Sequence, residues 1–233
     1  MNKIIIALIL ALTSTAAFAE KESPFIIDKK EYNKRVKVVS LAPLDVAPGL
    51  DLTPEMHQFI ETEATKQLEK TKVDAIAIEP YARIRDMMIQ QVGGITNADG
   101  QVLTTKQRIV WDHAKREMRH RHQMDAFAQI SIRPVSAIFT DDRAEWDGVK
   151  QKVKASGDGF SLFGGKNYQG TIGALSFQLA MIDRNDELLF VNRGGIEVLQ
   201  ERQGPKLVAL DTTLLMQDEK KIKKAIQLAF KPL

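Results

Sequence analysis

The sequence predicts an α/β fold, with α+β as the alternative, built on a mixed sheet of about five strands with packed helices. Three observations predict it. A β-branched strand, a capped amphipathic helix and a short second strand give a β-loop-α-β opening. Two long strand segments joined by a polar turn read as a long C-terminal β-hairpin. An amphipathic helix then closes the chain.

Taken in order, residues 20–34 are polar apart from Phe25-Ile26-Ile27 and predict an extended N-terminal arm. Arg35 to Pro43 carries Val36, Val38, Val39 and Leu41, a strand signal that ends on a proline. Thr53 is a ready helix cap, Pro54 suits the first helical position and Glu55 suits the positive end of the helix dipole. Met56, Phe59, Ile60, Ala64 and Leu68 then recur at spacings of three and four, the stripe of a helix packed by one face. Val73 to Ile78 predicts a short strand. A helix runs from Pro80 to about Gln91 and stops at Gly93-Gly94, and Asn97, Asp99 and Gly100 form a turn.

A longer helix starts at Thr104-Thr105 and reaches about His122, with Ile109, Val110, Ala114 and Met118 apolar. From Asp125 the period falls to two: Ala126, Ala128, Ile130 and Ile132 alternate with polar residues, as in a half-buried strand. Glu145 to Val153 alternates as well, and 155–170 is a Gly/Ser loop. Gly170 to Ile182 and Glu187 to Gln200 are the hairpin strands, with Asp183 to Asp186 between them. Gly194-Gly195 predicts a bulge or bend in the second strand. Asp218 to Phe230 is the closing helix, with Ile222, Ala225, Ile226 and Ala229 on one face and lysines opposite. The expected organisation is therefore a leader at 1–19, an arm at 20–34 and one domain at 35–233.

The leader is the sharpest feature. Lys3 precedes an unbroken apolar run from Ile4 to Leu12, and Ala17-Phe18-Ala19 follows. This is the pattern of a secretory signal peptide cut after Ala19. The run is too short for a bilayer core of ~30 Å. The chain has no cysteine, so neither a disulfide nor lipidation at an N-terminal Cys is available. The expectation is a periplasmic, non-lipidated protein, held by packing alone and without a transmembrane span after cleavage. Hydrophobic residues make up 44% of the chain, enough for a packed core. Without Lys3 the chain holds 32 basic and 30 acidic residues, a balance that gives no reason to expect nucleic acid.

No cofactor signature occurs. Gly157 to Gly173 holds six glycines and Lys166, yet the phosphate-loop motif G-x-x-x-x-G-K-[ST] is missing. Phe160, Leu162 and Phe163 on that loop either fold back on the core or form a contact point. The densest polar cluster is Trp111 to His122. His113 and Glu117 stand one helical turn apart and can pair as ligands; His120 and His122 project ~200° apart on a helix and cannot share a metal there. Arg116, Arg119 and Arg121 would repel a cation, so a solvated basic helix end is the plainer reading. The same arginines can instead meet an anionic membrane surface. Asp141, Asp142 and Glu145 read as a turn rather than a calcium or acid–base site, and Ser131 and Ser136 lack a nucleophile elbow.

The order KVVSLAP, capped helix, VDAIAI, then MDAFAQISI, the hairpin SFQLAMIDRNDELLFVNRGGIEV and a closing helix resembles the α/β domain shared by the curli secretion lipoprotein CsgG and the N-terminal domain of TolB. Val38 to Pro43 matches the proline-ended first strand of that group, and Leu179 to Phe190 matches its strand–Asp–turn–strand hairpin. The chain departs from it at Asn185-Asp186, where glycine is frequent, in lacking a lipidated Cys, and in having no counterpart of the pore-forming strands. The resemblance implies a non-enzymatic protein of a Gram-negative cell envelope that binds a protein or envelope partner in assembly or maintenance. The alternative is a secreted hydrolase or metal-dependent enzyme using His113, Glu117 and His120 or the 141–145 carboxylates, which requires those groups to converge in one pocket.

Overall fold

A computed structural model of the chain describes residues 23–156, 169–203 and 206–233. The leader at 1–19 and the loop residues Phe160, Leu162, Phe163 and Lys166 lie outside them. The first part of the chain gives α1 (Lys29–Arg35), β1 (Val38–Leu41), β2 (Asp45–Val46), α2 (Pro54–Glu69), β3 (Asp74–Ile76), α3 (Ile78–Gln91) and α4 (Thr104–His122). Then come β4 (Ala126–Thr140), β5 (Arg143–Trp146), β6 (Val149–Lys152), β7 (Ala155–Ser156), β8 (Gln169–Asp183) and β9 (Leu188–Val198). The chain ends with β10 (Gln200–Gln203), β11 (Lys206–Ala209), α5 (Thr212–Leu215) and α6 (Glu219–Phe230).

This is an α/β protein with a mixed sheet. Strand β1 pairs in parallel with β3 and β4, and β8 runs antiparallel to β4 from Ala126↔Asp183 to Thr140↔Gln169. Strand β9 pairs antiparallel to β8, so five strands lie in the order β3-β1-β4-β8-β9. β2 joins the free side of β4 beyond β1, and the β5–β6 hairpin joins it further on. There the sheet curls over on itself. A second sheet holds β11-β10-β7.

Period-two alternation gives the sheet two different faces. On one, Ala128, Ile130 and Ile132 of β4 and Leu175, Phe177 and Leu179 of β8 form the main core with α2 and α6. The other face has two separate apolar ends. Phe127 lies under Tyr81 of α3 and Trp111 and Met118 of α4. At the far end Ala137, Phe139, Ile172, Ala174 and Val198 close around Ala144 and Trp146 of β5.

Four local departures from the expected elements have clear causes. Residues 29–35 are helix α1, not extended arm: Asp28 caps it by accepting from the N–H groups of Lys30 and Glu31. Its single buried residue, Tyr32, leaves no apolar period to detect. Only Pro24 to Ile26 is extended, bonding to the edge of β9 at Leu189 and Val191. Strand β4 continues past Pro134. The carbonyls of Ala128 and Ile132 accept from Ala42 and Ala47, so the backbone of Pro134 turns the same way, past the end of β2 where no ladder bond is lost. The segment Glu145 to Val153 is not one strand but a hairpin. Its turn is Asp147-Gly148, both at positive φ (37° and 76°), the two-residue turn that matches strand twist. The loop expected at 155–170 begins as β7 and ends where β8 starts at Gln169.

The expected irregularity at Gly194-Gly195 is present as a register shift beside Ile196, and the glycines have a packing reason. A Cβ on Gly194 would stand 2.0 Å from the carbonyl oxygen of Ala225, so α6 sits directly on the β9 backbone. Asn192 completes the seat by donating to the carbonyls of Leu228 and Ala229 at 3.0 and 2.9 Å, two acceptors left over at the helix end. Among the described residues no helix is long and apolar enough to cross a membrane.

Candidate functional site

The basic stretch of α4 is largely spoken for. Lys115 is buried, ion-pairs with Asp186 and lies 5.8 Å from the Trp111 ring. Arg119 donates to the carbonyl of Arg184. Both partners belong to the β8–β9 turn, which Arg35 of α1 grips from the other side through Asp183 and Glu187, each at 2.6 Å. Arg121 pairs with Glu117 at 2.8 Å, and that hydrogen bond holds the Glu117 carboxyl below the usual range. Thus Arg119 is tied to the β8–β9 turn, Arg121 is exposed and paired on its own helix, and Arg116 is exposed.

The metal candidates do not come together. Glu117 is engaged by Arg121, and His120 and His122 are exposed on the last helical turn with the twist between them. Among the described residues no group of three His, Cys, Asp or Glu is placed to hold a metal. The 141–145 carboxylates serve strand pairing: Asp142 meets Lys152 at 3.4 Å and Glu145 meets Lys150 at 3.3 Å. Asp141, at φ 58°, makes the turn between β4 and β5. These groups point along different strands and turns, so the convergence an enzyme reading requires is not found in them.

A different polar grouping does converge. Between the two apolar ends of the second sheet face lies a half-buried polar belt. Register aligns Asp45 with Ser131, Ser131 with Gln178, and Gln178 with Arg193. Four neighbouring strands therefore present one polar row, roughly 15 Å across at the usual strand spacing. Ser131, Gln178 and Arg193 are half-buried, as is Gln129 beside them.

The belt has structured margins. Arg133 ion-pairs with Asp45. Ser176, buried in the next row, donates its hydroxyl to Asp147 at 2.6 Å, and the Gly195 N–H donates to the Asp147 carbonyl at 3.1 Å. Arg193, like Arg119 of α4, has a buried Nε without a hydrogen-bond partner. Sequence alternation along β4 puts Gln129, Ser131 and Arg133 on one face. The join to Gln178 and Arg193 depends on register between distant segments, which period-two patterning leaves open.

Two hollows lie elsewhere on the molecule. A hollow of about 200 Å³ lies beside Tyr32, Lys37 and Lys72, and another of about 170 Å³ beside Phe139, Arg202 and Leu207. Both fall below the ~300–1,000 Å³ usual for small-molecule sites. Neither touches the polar row.

No protein-family model and no curated protein matches the chain. A solved structure described as a neuraminyllactose-binding hemagglutinin homolog from Helicobacter pylori is similar at 9% identity, covering 90% of this chain and 87% of that one, with a TM-score of 0.30.

Proposed function

We propose that this chain is an exported, non-enzymatic periplasmic protein that binds an envelope protein partner through the edge of its second sheet. The observation that carries the reading is β11. It is the outermost strand of β11-β10-β7, and no described strand lies beyond it. All four of its residues are exposed, Leu207 and Val208 among them. An exposed edge with apolar side chains is a template for an added strand, the recognition mode in which backbone bonds give affinity and alternate side chains give specificity. The signal-peptide pattern ending at Ala19 supports the compartment. The resemblance to the CsgG and TolB N-terminal group supports a role in envelope assembly or maintenance.

The test is photo-cross-linking in intact cells from position 208, with position 83 on α3 as the control. A discrete adduct from 208 that is absent at 83 and lost in Leu207→Asp is the expected result. Equal labelling from both positions would remove the edge from consideration. Amino-terminal sequencing of the protein from the periplasmic fraction should begin at Glu20.

A further inference from the structure

We infer that the strand added to β11 is β11 of a second copy of this chain, the two edges running antiparallel about a twofold axis at Val208. This rests on the edge-strand reading above and names the occupant of that edge. The backbone of β11 shows which of its groups are on offer. Val208 stands opposite Glu201 of β10, and the Leu210 N–H donates to the Leu199 carbonyl at 2.8 Å. Bonding alternates along an antiparallel strand, so Lys206, Val208 and Leu210 turn their backbone groups toward β10. Leu207 and Ala209 turn theirs away from it, toward the side where no described strand lies.

Symmetry then limits how two such edges meet. A twofold axis that continues a sheet stands normal to it, so each residue keeps its face and meets only residues of that face. With Val208 opposite Val208 of the second copy, each Leu207 exchanges both backbone bonds with Ala209 of the other copy. Every group the edge holds out at 207 and 209 is then used, and the valines pack side by side on the axis. Lys206 is the single charge of β11. It falls level with Leu210 of the second copy, ~13 Å along the strand from its own mate, so like charges do not oppose. Placing Leu207 opposite Leu207 instead halves that separation and sets Ala209 against Pro205, which has no N–H to give. The edge is therefore self-complementary in one register. The contact is short, so the pairing is weak and depends on concentration.

The chain has no cysteine, so a single introduced cysteine can form a disulfide only with another molecule. In this register the two Val208 residues are a pair without mutual backbone bonds, with Cα atoms ~4.5 Å apart, inside the range a disulfide spans. Purified Val208→Cys under mild oxidation should run as a dimer that dithiothreitol reverses. Lys206→Cys, and Arg83→Cys on the exposed side of α3, should cross-link at least about tenfold more slowly, because their mates lie out of reach. Leu207→Pro removes an outward N–H and no bond to β10, and in the Val208→Cys background it should abolish the dimer while leaving the circular dichroism spectrum unchanged. Equal rates at 208 and 83, or a Val208→Cys dimer that survives Leu207→Pro, overturns the self-pairing. If a photo-adduct from 208 in cells then has a mass other than twice that of the chain, the edge-strand reading stands without it. No adduct from 208 at all removes both.

Discussion

Asp183 ends the longest strand pairing in the molecule and is almost fully buried. Burial by itself would raise its pKa. The N–H groups of Glu187 and Asn185, donating at 2.9 and 2.7 Å, outweigh it together with the Arg35 guanidinium, and the carboxyl titrates below its ordinary 3.8. A carboxylate depressed in the folded state contributes stability that is complete above its unfolded pKa and lost as pH falls through the folded one. The melting temperature should therefore drop on acidification below about pH 4. Asp183→Asn should flatten that part of the profile, as read by circular dichroism. A slope unchanged by Asp183→Asn would mean that the β8–β9 turn does not rely on this charge. The same turn accounts for two of the basic residues of α4, since Lys115 and Arg119 bond to it.

At the level of elements, α6 owes its position to an absence. Gly194 leaves β9 bare where Ala225 crosses it, and Ile222 and Ile226 enter the core on either side. Gly194→Ala must push the helix away from the strand. The expected cost is about 1–3 kcal/mol or more, measured by urea titration, because backbone and not a flexible side chain is in the way. A change within error would contradict the close seating. Elements with their own caps and period were legible in the sequence: Thr53-Pro54 announces α2, and Asp218 caps α6 by accepting from Lys220 and Lys221. Helix α1 was not, because seven residues with one buried side chain carry no period. The Asp147-Gly148 turn was available but hidden inside an alternation that both strands of the hairpin share. The polar row was half legible: β4 gives Ser131, but Gln178 and Arg193 join it only once register across three strands is known. Of the candidate residues read from local density in α4, Arg119 reaches the β8–β9 turn and Arg121 pairs with Glu117 on its own helix, while Arg116, His120 and His122 are exposed.

Over the whole molecule, the two tryptophans report on different ends of one face. Trp111 packs on Phe127, and Trp146 donates to the carbonyl of Leu175 at 3.1 Å inside the curled end. Strands β4 and β8 run unbroken through both regions. The two ends should therefore unfold together. Single-tryptophan proteins, Trp111→Phe and Trp146→Phe, are each expected to show a fluorescence transition that coincides with the loss of helical circular dichroism in the same protein. An early transition from Trp146 alone would make the curled end a separate unit. The joining of Phe25 to Phe190 and the packing of α2 against α6 carry a kinetic consequence. Contacts that must wait for partners more than a hundred residues away give a high contact order, and such chains close slowly. A chain of this kind cannot complete those contacts until its last helix has been made.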